Sequence, residues 1–150
     1  MSQYINFYLR VNDKFISLGS FSRNNIVYTV LSDRVPYEKI TAINEDILDA
    51  GMVDLDREKE INNKYLKKNA EMMAAVANFN NSVTEKMEGI ENLNREKAEL
   101  EMENRQIDRA IAYLDFLKDI IEDYRYDCKY GKEVGIYAGI EATGDVKSIE

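Results

Sequence analysis

NFNNSVTE, residues 78–85, divides in two what is otherwise a continuous run of helix-forming sequence. Asn78, Asn80, Asn81 and Ser82 mark a turn, because short polar side chains offer the backbone hydrogen bonds that compete with a helix. Ser82 to Glu85 then has the form of a capping box, a hydroxyl for one free backbone N–H and a carboxylate three residues later for another. Upstream, Asn44 followed by Glu45 and Asp46 is an N-cap with acidic residues in the first turn, where they favour the helix dipole. From there Leu48, Met52, Leu55, Ile61, Tyr65, Met72, Val76 and Phe79 recur near the helical period, interrupted by Glu58, Asn62 and Asn69. Gly51 weakens this first helix without ending it. Downstream, Val83, Met87, Ile90, Leu93, Leu100, Ile107, Ile111, Leu114, Leu117 and Ile121 repeat at three- and four-residue steps to about Tyr126. Helices of about 35 and 45 residues would extend roughly 50–65 Å. The expectation is therefore an antiparallel helical-hairpin, coiled-coil arm over residues 44–127.

The flanks have a different character. YINFYLRVNDKFISL (4–18) opens with Ile5, Phe7, Leu9 and Val11 alternating with Asn6, Tyr8 and Arg10, is broken by Asn12 and Asp13, and resumes with Phe15, Ile16 and Leu18. This predicts a β-hairpin whose second strand ends at Gly19 and Ser20. In FSRNNIVYTVLSD the spacing of Ile26, Val27, Val30 and Leu31 fits a helix while β-branching favours a strand. A short helix is expected, with Ser22 as N-cap and Ser32 and Asp33 after its end. Pro36 sits in the connector RVPYEKITAI. Beyond Asp127, EVGIYAGIEATGDVKSIE reads as one or two strands with a turn at Gly144 and Asp145, returning to the N-terminal sheet. Of ten tyrosines, only Tyr65 and Tyr113 fall in the middle of the arm. The fold class expected is α+β: a small antiparallel sheet head built from both chain ends (1–43 and 128–150) carrying the long hairpin.

Composition removes much chemistry. The 150 residues include no histidine, so the commonest general base, the usual triads and His-ligated metal sites are absent. One cysteine, Cys128, excludes an internal disulfide or Cys-rich zinc site and points to a reducing, cytoplasmic compartment. Neither an export signal nor an apolar run long enough for a membrane span is seen. A net charge of −8 argues against direct nucleic-acid binding. That charge is uneven: +2 over 1–43, −9 over 44–127 and −1 over 128–150. Carboxylate pairs such as Asp54 with Glu58, Glu99 with Glu103 and Asp119 with Asp123 lie in interleaved charge runs, which mark solvated helix faces held by i,i+4 pairs. No EF-hand or P-loop spacing occurs, and no metal or cofactor is expected. Gly131, Gly135 and Gly139 read as turn and strand-bend positions. Enzymatic activity is not expected.

Two surfaces remain as binding candidates. In the head, Ser20, Ser22, Arg23, Asn24 and Asn25 would gather hydroxyls, amides and a guanidinium at a helix N-terminus, suited to a phosphate-bearing small molecule. Tyr28 would stack on a base, and Arg10 and Arg34 would extend the patch; the alternative is that Ser22 only caps and Arg23 faces water. In the arm, Tyr65, Met72, Val76, Ile90, Leu100, Ile107, Ile111 and Leu114 would form an oligomer or partner interface. Asn62, Asn69, Lys97 and Asn104 fall on or beside the stripes, where polar side chains set register or oligomer state.

The strings YINFYLRVNDKFISLGSFSRNNIVYTVL (4–31) and VPYEKITAINEDIL (35–48), followed by a charged helical hairpin, resemble small accessory proteins of tailed bacteriophages and prophages. The resemblance lies in the order of elements and carries no catalytic motif. It implies a host-cell cytoplasmic protein that forms a homo-oligomer and captures a host component, either a nucleotide signal or a defence protein. The rival readings are a coiled-coil assembly adaptor and an acidic nucleic-acid mimic that inhibits a host nuclease or regulator.

Overall fold

The alternating apolar residues at the N-terminus form the centre of a sheet, and the two capped stripes form two long helices. The computed structural model describes residues 4–35, 40–78, 83–124 and 134–140. In chain order the elements are β1 (Tyr4–Val11), β2 (Lys14–Ser22), α1 (Ile26–Leu31), β3 (Thr41–Ile43), α2 (Glu45–Asn78), α3 (Val83–Asp123) and β4 (Val134–Ile140). The fold is α+β, with a four-stranded antiparallel sheet in the order β2-β1-β4-β3 and a helical hairpin of α2 and α3. Two compact units are distinguished. One comprises Met1–Asp54 with Ala110–Glu150, the other Leu55–Arg109. The boundary thus falls inside the helices rather than at residues 44 and 127, because the first turns of α2 and the last turns of α3 bury their apolar faces in the head.

In the head unit, Ile5, Phe7 and Leu9 of β1 and Ile136 and Ala138 of β4 point to one face and are buried. Val27 and Leu31 of α1, Leu48 of α2 and Leu114 and Leu117 of α3 complete that core. A Cβ at Gly51 would lie 3.1 Å from both Leu114 and Leu31, so the glycine that weakens α2 locally also allows this close packing. The β1–β2 turn is where Asn12 and Asp13 place it, and Asn12 adopts a φ of 54°, a left-handed value asparagine tolerates.

Three expectations for the head are corrected. First, β2 does not end at Gly19 and Ser20. Phe7 pairs with Gly19 and Tyr8 with Ser17, leaving Leu18 as the extra residue of a β-bulge, after which the ladder continues to Ser22 opposite Tyr4. Gly19 takes a φ of 149° there, accessible to glycine without the Cβ penalty. Second, Ser22 is not the N-cap of α1. It is held in the ladder and its carbonyl accepts from Asn25 N–H at 3.0 Å, while Asn25 Oδ1 accepts from Val27 N–H at 2.9 Å and so caps the helix three residues later. Third, the supposed connector contains β3, an edge strand too short to show a periodicity of its own. It exists because Thr41–Ile43 pairs with β4. A Cβ on Gly139 would meet the Ile40 backbone at 3.2–3.3 Å, so the bare strand lets this edge approach.

The long helices follow their sequence signals. Asn44 Oδ1 accepts from Ile47 N–H at 2.9 Å and caps α2 as expected. The inter-helix turn, the Ser82 cap, Cys128, Gly131, Pro36 and the Gly144–Asp145 turn lie outside the described residues. Within the hairpin unit the seam is mixed. Leu55, Leu93 and Ile107 are buried beside two asparagines, Asn62 and Asn69. Asn62 donates to Asn104 Oδ1 at 3.0 Å, Asn104 donates to Asn63 Oδ1 at 3.1 Å, and Asn69 donates to the Leu93 carbonyl at 2.8 Å. Lys97, expected beside this seam, instead faces solvent and approaches Glu101 at 3.9 Å.

Candidate functional site

The head patch expected from sequence is spread out by the fold. Ser20 and Ser22 stand exposed on β2, and Arg23 and Asn24 are exposed in the turn after it. Asn25 spends its side-chain oxygen on the Val27 N–H in the first turn of α1, so the helix N-terminus that was to receive an anion already holds its own acceptor. Arg34 is engaged with Asp54 at 2.8 Å. Arg10 lies six residues along β1 from the partner of Ser22, about 20 Å away at the strand rise, and so does not join that patch. Tyr28 is half-buried in α1.

Arg10 instead belongs to the outer face of the sheet. Its Nε donates to the Asn12 carbonyl at 2.8 Å, and its guanidinium carbon lies 5.9 Å from the ring centres of both Phe15 and Tyr137. Tyr8, Phe15 and Tyr137 meet edge to face at 5.8–6.0 Å. The cation sits where the ring quadrupoles attract it. This cluster follows from cross-strand register, which brings Arg10 opposite both Phe15 and Gly135. No local motif announces it.

Tyr113, assigned to the arm by position in sequence, packs in the head. Its ring lies 5.5 Å from Phe7 and 4.7 Å from Phe21, and its hydroxyl donates to the Leu18 carbonyl at 3.0 Å. The bond closes on the bulged residue of β2. Burial pushes the phenol far above its ordinary pKa. A small apolar cavity of about 130 Å³ lies farther along α3, lined by Leu9, Ile120, Ile121, Tyr124 and residues 134–136. Among the described residues no group of three or more Cys, Asp or Glu side chains is placed to hold a metal ion.

The interface residues expected in the arm separate into two groups. Ile107 and Leu114 are fully buried within the chain and are unavailable to a partner. Ile111, Leu100, Val76 and Ile90 are partly covered. Tyr65 and Met72 remain open, 51% and 57% exposed, and so do Ile61, Val83, Met87 and Met102. Ile61 and Tyr65 line an open groove of about 380 Å³ on α2 together with Lys64, Lys67, Lys68 and Glu71. The lysines were not singled out by sequence because charged residues on a long helix are usually solvated; only their place beside exposed apolar side chains sets them apart. On the opposite flank, Lys59 bridges to Asp108 at 2.6 Å.

No helix among the described residues is long and apolar enough to cross a membrane. Comparison with protein-family models, curated proteins and solved structures finds no match for this chain.

Proposed function

We propose that this chain is a non-enzymatic binding protein in which the helical hairpin presents the partner-binding surface and the head serves as its scaffold. One observation carries the reading. Among its described residues the hairpin unit buries three apolar side chains, Leu55, Leu93 and Ile107, and leaves six large ones about half exposed or more. A helix pair that works alone in water gains nothing by displaying more apolar bulk than it hides. Val83 and Met87, 73% and 65% exposed, stand one turn apart at the start of α3. Methionine's unbranched, polarisable side chain adapts to varied apolar surfaces, which suits a partner-binding position.

The resemblance to phage accessory proteins directs the search for the partner to a bacterial host, its defence proteins first. Phosphate capture by the head has less support, since Asn25 already occupies the N-terminus of α1. The two surfaces are separated by substitution. Val83→Asp with Met87→Asp should reduce co-purification of the host partner by about tenfold or more, while Arg23→Ala with Asn24→Ala should leave it unchanged. Loss with the head variant and retention with the hairpin variant would overturn the proposal.

A further inference from the structure

The Lys59–Asp108 bridge and the Asn104–Asn63 hydrogen bond mark one side of the α2–α3 seam. At about 100° per residue, positions roughly half a turn from Lys59 and Asp108 face the other side. On α2 these include Ile61, Lys64, Tyr65, Lys68 and Met72. On α3 they include Glu96, Glu99 and Glu103, with Arg95 beside them at the same offset as Lys64. All nine are exposed. One side of the hairpin therefore carries an apolar row with lysines on one helix and, on the other, three glutamates with a single arginine.

These rows are also level with one another. Lys59 meets Asp108, Asn62 meets Asn104, and a Cβ on Gly89 would touch Val76. Lys64 thus lies level with the stretch around Met102, and Lys68 with the stretch around Ala98. A two-fold axis along the length of the hairpin would lay α2 of one copy over α3 of another. It would set Lys64 against Glu99 and Glu103 of that copy, and Lys68 against Glu96 and Glu99. Because the surface is self-complementary, both halves of the contact form at once. The row of Ile61, Tyr65 and Met72 would be covered by the stems of the opposing glutamates. A two-fold axis across the hairpin would instead set lysines against lysines and glutamates against glutamates.

From this we infer that a second copy of this chain docks on the Ile61–Met72 side of the hairpin, in parallel, through reciprocal Lys64/Lys68 and Glu96/Glu99/Glu103 contacts. The inference rests on reading the hairpin as an interaction element, but it uses the side away from Lys59. Self-association is measured on the purified chain alone, so its failure is distinguishable from failure of host-partner capture by Val83 and Met87.

The test is sedimentation of the full chain at low ionic strength over a wide concentration range. The wild type should dimerise, and Lys64→Glu with Lys68→Glu should raise the dimer dissociation constant by about tenfold or more. Glu96→Lys with Glu103→Lys should do the same. An equimolar mixture of the two charge-reversed proteins should regain the dimer, because each then offers the sign the other lacks. Circular dichroism checks that both variants keep their helices. A wild type that stays monomeric throughout, reversed variants that associate as well as the wild type, or a mixture that does not recover would each overturn the inference.

Discussion

Tyr113→Phe removes one oxygen from the head and leaves its ring contacts with Phe7 and Phe21 in place. The lost Oη–Leu18 carbonyl bond is 3.0 Å long and partly buried, and it closes on the one residue of β2 that has no cross-strand partner. A bond of this kind contributes about 1–1.5 kcal/mol, through its net value and the desolvation of the abandoned carbonyl. In urea, with a slope of about 2 kcal/mol per molar, the midpoint should fall by roughly 0.5–0.7 M with an unchanged slope. The same substitution has a second signature at alkaline pH. In the unfolded chain Tyr113 ionises near pH 10, whereas burial keeps it protonated in the native state. Its contribution is complete below pH 10. Above that, the unfolded state releases a proton the native state retains, and stability declines by at most about 1.4 kcal/mol per pH unit, less to the extent that water reaches the ring. Tyr113→Phe should remove that part of the alkaline decline. Urea titrations of both proteins at neutral pH and above pH 10 measure both effects; equal midpoints at neutral pH together with parallel alkaline slopes would refute the role given to Tyr113.

Other expectations follow from single contacts. Asn44→Ala deletes the Oδ1 acceptor for Ile47 N–H and should cost about 1 kcal/mol in thermal or urea unfolding. Gly139→Ala would press a Cβ against the Ile40 backbone, which cannot swing aside. It should destabilise by about 1–3 kcal/mol and speed amide exchange in Thr41–Ile43. Gly51→Ala makes an equally short contact, but with the ends of Leu114 and Leu31. Their small shifts are offset by a gain of about 1 kcal/mol in helix propensity, so its urea midpoint should stay close to that of the wild type. Asn69→Leu replaces a buried hydrogen bond to the Leu93 carbonyl by an apolar contact; it should lower register specificity, seen as additional oligomeric species on size-exclusion chromatography.

The hairpin was legible because its signals are local. Asn44 with Glu45 and Asp46 identifies a helix start without reference to any other part of the chain, and the alternation in Ile5, Phe7 and Leu9 identifies a half-buried strand in the same way. What escaped the sequence depends on pairing across long separations. Leu18 is a bulge only because Phe7 and Tyr8 select partners on either side of it, and that bulge carries β2 on to Ser22 and moves the α1 cap to Asn25. β3 is defined by β4, nearly a hundred residues later. Tyr113 reads as an arm residue until Phe21 and Leu18 are brought to it. The candidate sites show the same division. Arg10, Arg34 and the Ser22 region looked like one anion patch because they share a chemistry and half the head sequence. The strand register sets Arg10 apart from Ser22, and Asp54 already engages Arg34. On the α2 stripe Tyr65 and Met72 stay exposed, whereas on the α3 stripe Ile107 and Leu114 are consumed by the chain's own core.

Site-specific photo-crosslinking in bacterial cells tests the central claim most directly, with a crosslinking residue placed at Met87 on the hairpin in one protein and at Arg23 on the head in another. Discrete adducts to a host protein from position 87, with none from position 23, are the expected result. Adducts from position 23 alone would contradict the assignment of function to the hairpin.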